Sequence, residues 1–234
     1  MASDTKGRMK AIKEHFEKEA KSFDKNFFKV APFYKEALEA LISALTFKED
    51  KKIRVVDLGC GTGNITKALM KRYPNASVVC VDLADNMIEM AKAKLERYKS
   101  VKYWTGDIRR FDYSGQYDAV ISSLVLHHLE KKAKERFYRK VFNSLSRGSV
   151  FYIADFVLPS SDKMAAMYRE KWKKFMRKNL SPLEVSNMIA RHEHEDRPAE
   201  LMFELDLLRE TGFKNVDVVW KYYNFAVYGG EKGS

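Results

Sequence analysis

Apolar runs rich in β-branched residues alternate with helical patterns through the middle of the chain. The runs are IRVVDL (53–58), SVVCVDL (77–83), VKYWTGD (101–107), YDAVISSL (117–124) and SVFYIADFV (149–157). Most are continuous rather than alternating, as strands buried on both faces are. Between them, apolar positions recur at helical spacing over roughly 64–72, 85–98 and 130–145. This order predicts right-handed βαβ units, and hence an α/β fold with a parallel sheet covered by helices on both faces.

The flanks read differently. Residues 8–46 predict two helices broken around FKVAPFY. Residues 159–196 are helical, Met- and aromatic-bearing, and carry no strand pattern. RPAELMFELDLLRETGF (197–213) predicts another helix with Gly212 as its stop signal, and NVDVVW and YNFAVYGG predict two closing strands. A helical insertion after the fifth strand lies near the carboxyl ends of the strands, where such sheets bind ligands, so it is placed to act as a lid. The expected organisation is a helical cap over 1–50, a ligand-binding core over 51–158, a lid over 159–197, and the final helix and strands over 198–234.

Composition narrows the setting. A chain of 234 residues, 45% hydrophobic and 32% charged, is long enough for one sizeable core with a small lid. No apolar run approaches the roughly 20 residues needed to span a bilayer. The start, MASDTKGRMKAIKEHF, lacks the apolar centre of a secretory signal. Cys60 and Cys80 are too few for a disulfide framework or a thiolate metal site, so a cytoplasmic protein with no membrane partner is expected. The net charge of +11 permits an anionic partner. Most lysines alternate with glutamates at helical spacing, however, as on an ordinary solvated face, so nucleic acid is not the favoured partner. REKWKKFMRK (169–178) is the one dense basic run.

The chemistry begins at DLGCGTG (57–63), which follows a strand and opens a helix. Glycines there permit a tight turn and let a ligand approach the backbone closely. A dinucleotide fingerprint would carry a glycine where Asn64 stands. Asp57 precedes the turn, which suits an ammonium or sulfonium group better than a pyrophosphate. Asp82 ends the second strand, in the position that takes two ribose hydroxyls. Asp107, in TGDI, is able to accept from an adenine amino group.

These elements, with YDAVISSLVLHHL after them, resemble the class I S-adenosylmethionine-dependent methyltransferases, closely over residues 53 to about 157. The resemblance implies a Rossmann-like, seven-stranded, mostly parallel sheet whose last strand runs antiparallel, with S-adenosylmethionine as cofactor and S-adenosylhomocysteine as product. It places Asp57, Gly59, Cys60, Gly61 and Gly63 around the methionine part, and Asp82 and Leu83 at the ribose. Met87 falls against the adenine, Asp107 and Ile108 at its edge, and Ser122 in the fourth motif. The implied activity is in-line methyl transfer to an O, N, S or C nucleophile of a small-molecule acceptor, for which alignment supplies much of the rate. The fourth motif lacks the Asn/Asp-Pro-Pro-aromatic tetrad of enzymes that methylate planar amino groups.

A general base matters only for an acceptor that must lose a proton. His127 and Asp155 are the candidates near the strand tips, with Tyr34 as the residue reaching in from the N-terminal helices. Arg191 and Arg197 are candidates for a substrate carboxylate, and Trp172 for the acceptor pocket. In RHEHEDRP (191–198) the two histidines are two apart and diverge on a helix, so the stretch is expected to be a solvated joint without a metal. The ending VVWKYYNFAVYGG is loosely similar to the carboxy-S-adenosylmethionine synthases that serve tRNA wobble modification, the alternative activity. A non-catalytic cofactor-binding protein is a third reading. A monomer or homodimer is expected.

Overall fold

The computed structural model describes residues 2–21 and 23–233. Three helices open the chain: α1 (Ala2–Glu19), α2 (Phe23–Phe27) and α3 (Tyr34–Ser43). The alternating core follows as β1 (Arg54–Leu58), α4 (Asn64–Arg72), β2 (Ser77–Asp82), α5 (Asp85–Leu95), β3 (Val101–Thr105) and β4 (Tyr117–Ser123). A 3-10 turn (Leu126–His128) then leads into α6 (Lys131–Ser144) and β5 (Leu145–Phe156). The insertion is α7 (Asp162–Met176) and α8 (Pro182–Glu195), and α9 (Leu201–Thr211), β6 (Phe213–Tyr222) and β7 (Phe225–Lys232) close the chain. The N-terminal region thus holds three helices where the sequence predicts two. The predicted break is present, with Phe33 left-handed at φ 55, and a second interruption separates α1 from α2.

The seven strands form one sheet in the order β3-β2-β1-β4-β5-β7-β6, and β7 alone runs against its neighbours. The reversal of strand order between β1 and β4 sends the following connections to opposite faces and opens a crevice at the carboxyl edge. The continuous apolar runs serve two cores because successive side chains point to opposite faces. Val55, Ala119 and Ile121 face one core with α3, α4, α7 and α8, while Val56, Val120 and Phe151 face the other with α6 and α9.

Helix boundaries follow local chemistry. Ser181 and Glu184 form a reciprocal capping box at the start of α8, with Pro182 in the first turn. Gly212 ends α9 at φ 115, a left-handed conformation that glycine adopts without strain. Among the described residues, no helix is long and apolar enough to cross a membrane.

The α6–α9 core contains a buried charge. Lys134 of α6 pairs closely with Glu204 of α9, each side chain 1% exposed, and Tyr138 Oη donates to the second carboxylate oxygen at 2.6 Å. Such a pair holds two helices in register, but it leaves a costly orphan when one partner is removed. Lys134→Met should therefore destabilise by about 3–5 kcal/mol in urea denaturation. Adding Glu204→Gln, which keeps an acceptor for Tyr138, should recover most of that loss. Equal losses in the single and double variants would assign the cost to packing instead of an unpaired carboxylate.

Candidate active site

The crevice at the carboxyl edge is a cavity of about 500 Å³ between the sheet, the N-terminal helices and α8. Its floor is the glycine turn after β1. Gly59 and Cys60 donate backbone N–H groups to the Val81 carbonyl at 2.7 and 2.9 Å, which folds the turn against β2. Gly59 sits at φ 69, and a Cβ there would come within 2.0 Å of Val125. Gly61, at φ 53, faces open space, so any side chain at this position would project into the cavity itself. That is the geometry of a backbone meant to be approached by a ligand.

Asp82, 9% exposed, secures the turn: Oδ2 accepts from Gly61 N at 2.8 Å and Oδ1 from Ala84 N at 3.0 Å. Burial pushes its carboxyl up, and these backbone donors oppose the shift. Asp82, Leu83, Met87, Asp107 and Ile108 all line the cavity, as do Gly59, Cys60 and Gly61. Asp107 is clasped by Arg109, whose Nε lies 2.9 and 3.0 Å from its two oxygens. Burial raises this carboxyl, but the Arg109 contacts outweigh it and hold it below the usual range.

Asp57, Gly63 and Ser122 lie beneath the wall and do not line the cavity. Ser122 Oγ donates to the Leu58 carbonyl at 3.0 Å, while its neighbour Ser123 faces the cavity. Asp57 is fully buried. Its Oδ2 accepts from Thr66 Oγ1 at 2.5 Å, and Oδ1 has no hydrogen-bond partner among the described residues. Burial pushes it up to about 7; the Thr66 hydrogen bond opposes this and the Asp82 charge adds to it.

The N-terminal helices close one side through polar ties that no local sequence signal marks. Asp24 Oδ1 accepts from Thr62 Oγ1 at 2.6 Å and from Asn64 Nδ2 at 2.9 Å, and Lys94 meets Oδ2 at 2.6 Å. Glu17 of α1 caps α5 by accepting from the backbone N–H of Asp85 and Asn86 at 2.7 and 2.9 Å. These partners are 38 to 70 residues apart, beyond the reach of periodicity or motif spacing.

Another part of the lining carries imidazoles and carboxylates. His127 and His128 both line the cavity, and Asp155 on β5 sits behind His127. The Asp155 carboxylate accepts from His127 N at 2.9 Å and pairs closely with ring Nδ1, which leaves Nε2 toward Asp196 at 3.6 Å. Asp196, the C-cap of α8, also lies 3.0 Å from His128 Nδ1 and 2.5 Å from His192 Nδ1. Burial would lower His127, but Asp155 and Asp196 raise it overall. Burial takes His128 down to about 4, with the neighbouring His127 adding to the drop. Burial would raise Asp196, yet the imidazoles hold it well below the usual carboxylate range.

The other candidates divide. Tyr34 lines the cavity, its Oη accepting from Ser123 Oγ at 3.4 Å, and burial drives its phenol well above the ordinary range. Trp172 lines it too, anchored by Nε1 donating to the Val30 carbonyl at 2.7 Å and packed edge-on to His192. Arg191 reaches the wall but meets Glu19 at 3.2 Å. Arg197 is exposed, donates to the carbonyls of His194 and Asp196, and does not line the cavity. RHEHED is the helical end of α8 and not a wholly solvated joint: His194 is exposed, while His192 and Asp196, four apart, share the cavity face.

A family model described as a methyltransferase domain matches residues 55–148. The chain is 24% identical, over 94% of its length and 95% of the other's, to a carboxy-S-adenosyl-L-methionine synthase of Nautilia profundicola. It is 32% identical, over 49% of its length and 38% of the other's, to a malonyl-[acyl-carrier protein] O-methyltransferase of Acetivibrio thermocellus. The fold matches that of magnesium protoporphyrin IX methyltransferase from Synechocystis PCC 6803 with bound S-adenosylhomocysteine, at a TM-score of 0.69 and 14% identity over 96% of this chain and all of that one.

The orphan oxygen of Asp57 has a measurable consequence. Its folded-state carboxyl titrates near 7 against an ordinary 3.8, so the folded chain holds the proton longer than the unfolded one. The stabilising contribution is complete below about pH 4 and is lost as pH rises through about 7. Asp57→Asn should remove this loss, so its stability relative to the parent should climb between pH 5 and pH 8 in ligand-free denaturation curves. A constant difference across that range would show that Asp57 is ionised throughout.

Proposed function

As a class I S-adenosylmethionine-dependent methyltransferase, this chain has to align a sulfonium methyl with a nucleophile, and we propose that the nucleophile belongs to a small molecule held at the histidine end of the cavity. S-adenosylmethionine supplies a methyl group whose departure leaves a neutral thioether. The protein's part is to bind, orient and exclude water. The observation that carries this reading is that two unlike groups line one cavity: the glycine turn with Asp82 and Asp107, and the imidazole–carboxylate cluster.

The first wall fits the cofactor. The open face of Gly61 leaves room for the methionine part, and Asp82 keeps lone pairs for ribose hydroxyls after accepting from two backbone donors. Ile108 and Met87 supply apolar surface for a purine. A cationic ligand at the turn would favour the ionised forms of Asp82 on it and Asp57 beneath it. The second wall combines Trp172, Phe156 and Phe16 with His127, His128 and Asp196, which suits a partly apolar acceptor carrying one ionisable nucleophile. Tyr34, from α3, stands between the two.

The carboxy-S-adenosylmethionine synthase activity of the full-length relatives is the second reading. It requires a cation for the additional carboxylate. Arg197 does not line the cavity and Arg191 is engaged by Glu19, while Lys29 is a further cation on the lining, so the mass measurement below decides between the two activities.

Asp82→Ala should weaken S-adenosylmethionine binding by about 10- to 100-fold in calorimetry, since a charged acceptor and the tether of the turn are lost together. Unchanged affinity would remove Asp82 from the ribose site. The mass of the compound that co-purifies with the parent protein separates the activities: S-adenosylmethionine or S-adenosylhomocysteine supports methyl transfer, and a carboxylated derivative supports the synthase.

A further inference from the structure

We propose that His127, His128 and Asp196 bind a divalent transition metal of the zinc class at the acceptor end of the cavity. One donor atom from each lies within 4.8 Å of the others. The Asp196 oxygen is 3.0 Å from His128 Nδ1 and 3.6 Å from His127 Nε2. Donors bound at about 2.1 Å to a four- to six-coordinate ion are spaced by about 3.0–3.4 Å; the two Asp196 separations bracket that range, and the two histidine donors lie within 4.8 Å of each other.

The His128 ring is buried, and neither nitrogen has an aligned hydrogen-bond partner among the described residues, although Asp196 Oδ1 is 3.0 Å from Nδ1. Buried polar groups ordinarily have partners, and an ion shared with Asp196 would supply one to this ring.

The surroundings complete the pattern. Asp155 takes His127 Nδ1 and so directs Nε2 into the cluster. His192 Nδ1 meets Oδ2 of Asp196 at 2.5 Å and leaves Oδ1 to face the two histidines. Metal-binding histidines and carboxylates are oriented by such outer partners. Asp155 and Asp196 together balance a divalent charge. The backbone is fixed as well: Arg197 N donates to the His127 carbonyl at 2.6 Å, and Arg8 donates to the His128 carbonyl at 3.0 Å.

Three protein ligands leave a position open to the cavity, which is the arrangement of a catalytic zinc and not a structural one. Resting on the reading of this end as the acceptor site, the inference specifies the acceptor class: a thiol or hydroxyl compound whose nucleophile ligates the metal and gives its proton to solvent, with no side chain required as base. Within RHEHED itself His192 and His194 diverge on the helix, which is why that stretch alone predicts no metal. The proposed ligands instead join Asp196 to the turn after β4.

The test uses the untagged full chain, stripped of metal and titrated with Co²⁺ as a spectroscopic substitute for Zn²⁺. One equivalent of Co²⁺ giving an intense visible ligand-field band, displaced by Zn²⁺, is expected. His128→Ala and Asp196→Asn should abolish the band, Asp155→Asn should weaken Co²⁺ affinity about 10- to 100-fold, and His194→Ala should leave it unchanged. Calorimetric S-adenosylmethionine binding and circular dichroism accompany each sample. A parent protein that binds S-adenosylmethionine but gives no band would overturn the metal site and leave the methyltransferase reading standing. A band that survives His128→Ala and Asp196→Asn in folded protein would also overturn it. Loss of S-adenosylmethionine binding by the parent would instead overturn the functional reading.

Discussion

The carboxylate of Asp155 on β5, reaching both the backbone N–H and ring Nδ1 of His127, is the contact on which the site depends. It fixes the turn Leu126–His128 against the sheet, and three other parts of the chain attach to that turn. Arg197, just past α8, donates to the His127 carbonyl. Arg8 of α1 joins the carbonyls of His128 and Glu195. Asp196 meets both imidazoles. Core strand, insertion and N-terminal helix therefore share one buried anchor, so a change in that turn is felt on every wall of the cavity.

Charge is distributed with the opposite sign inside and out. The chain carries a net +11, yet the groups at or beneath the cavity wall include the carboxylates of Asp57, Asp82, Asp107 and Asp196. Burial works against ionising each of them, and each is compensated differently: Asp107 by Arg109, Asp196 by imidazoles, Asp82 by backbone donors. Asp57 is compensated by the hydroxyl and backbone N–H of Thr66 alone, and its Oδ1 has no hydrogen-bond partner among the described residues. Among these groups the like-charge repulsion is that of Asp82 on Asp57, which a positive charge at the turn would relieve.

The N-terminal helices are as much a part of the site as the glycine turn. Asp24 links Thr62, Asn64 and Lys94, and Glu17 caps α5, so α1 and α2 are tied to the loops that form the cavity floor. Phe16 packs edge-on to His128, and Phe27 edge-on to Tyr34, joining the same helices to the histidine cluster and to α3.

The sequence alone determined what local patterning controls. Continuous β-branched runs gave the strands, helical spacing gave most helices between them, and the glycine spacing with Asp57, Asp82 and Asp107 pointed to a cationic nucleoside ligand. These features are legible because each arises within one element or one turn, where backbone geometry ties residue type to position. Tertiary structure decided what depends on pairs distant in sequence: that Ser123 and not Ser122 faces the cavity, that Arg197 turns away, and that Asp196 meets His127 and His128 across about 70 residues. Spacing within RHEHED carries no information about those partners. They meet only because the order of strands in the sheet sets the turn after β4 beside the end of the helix α8.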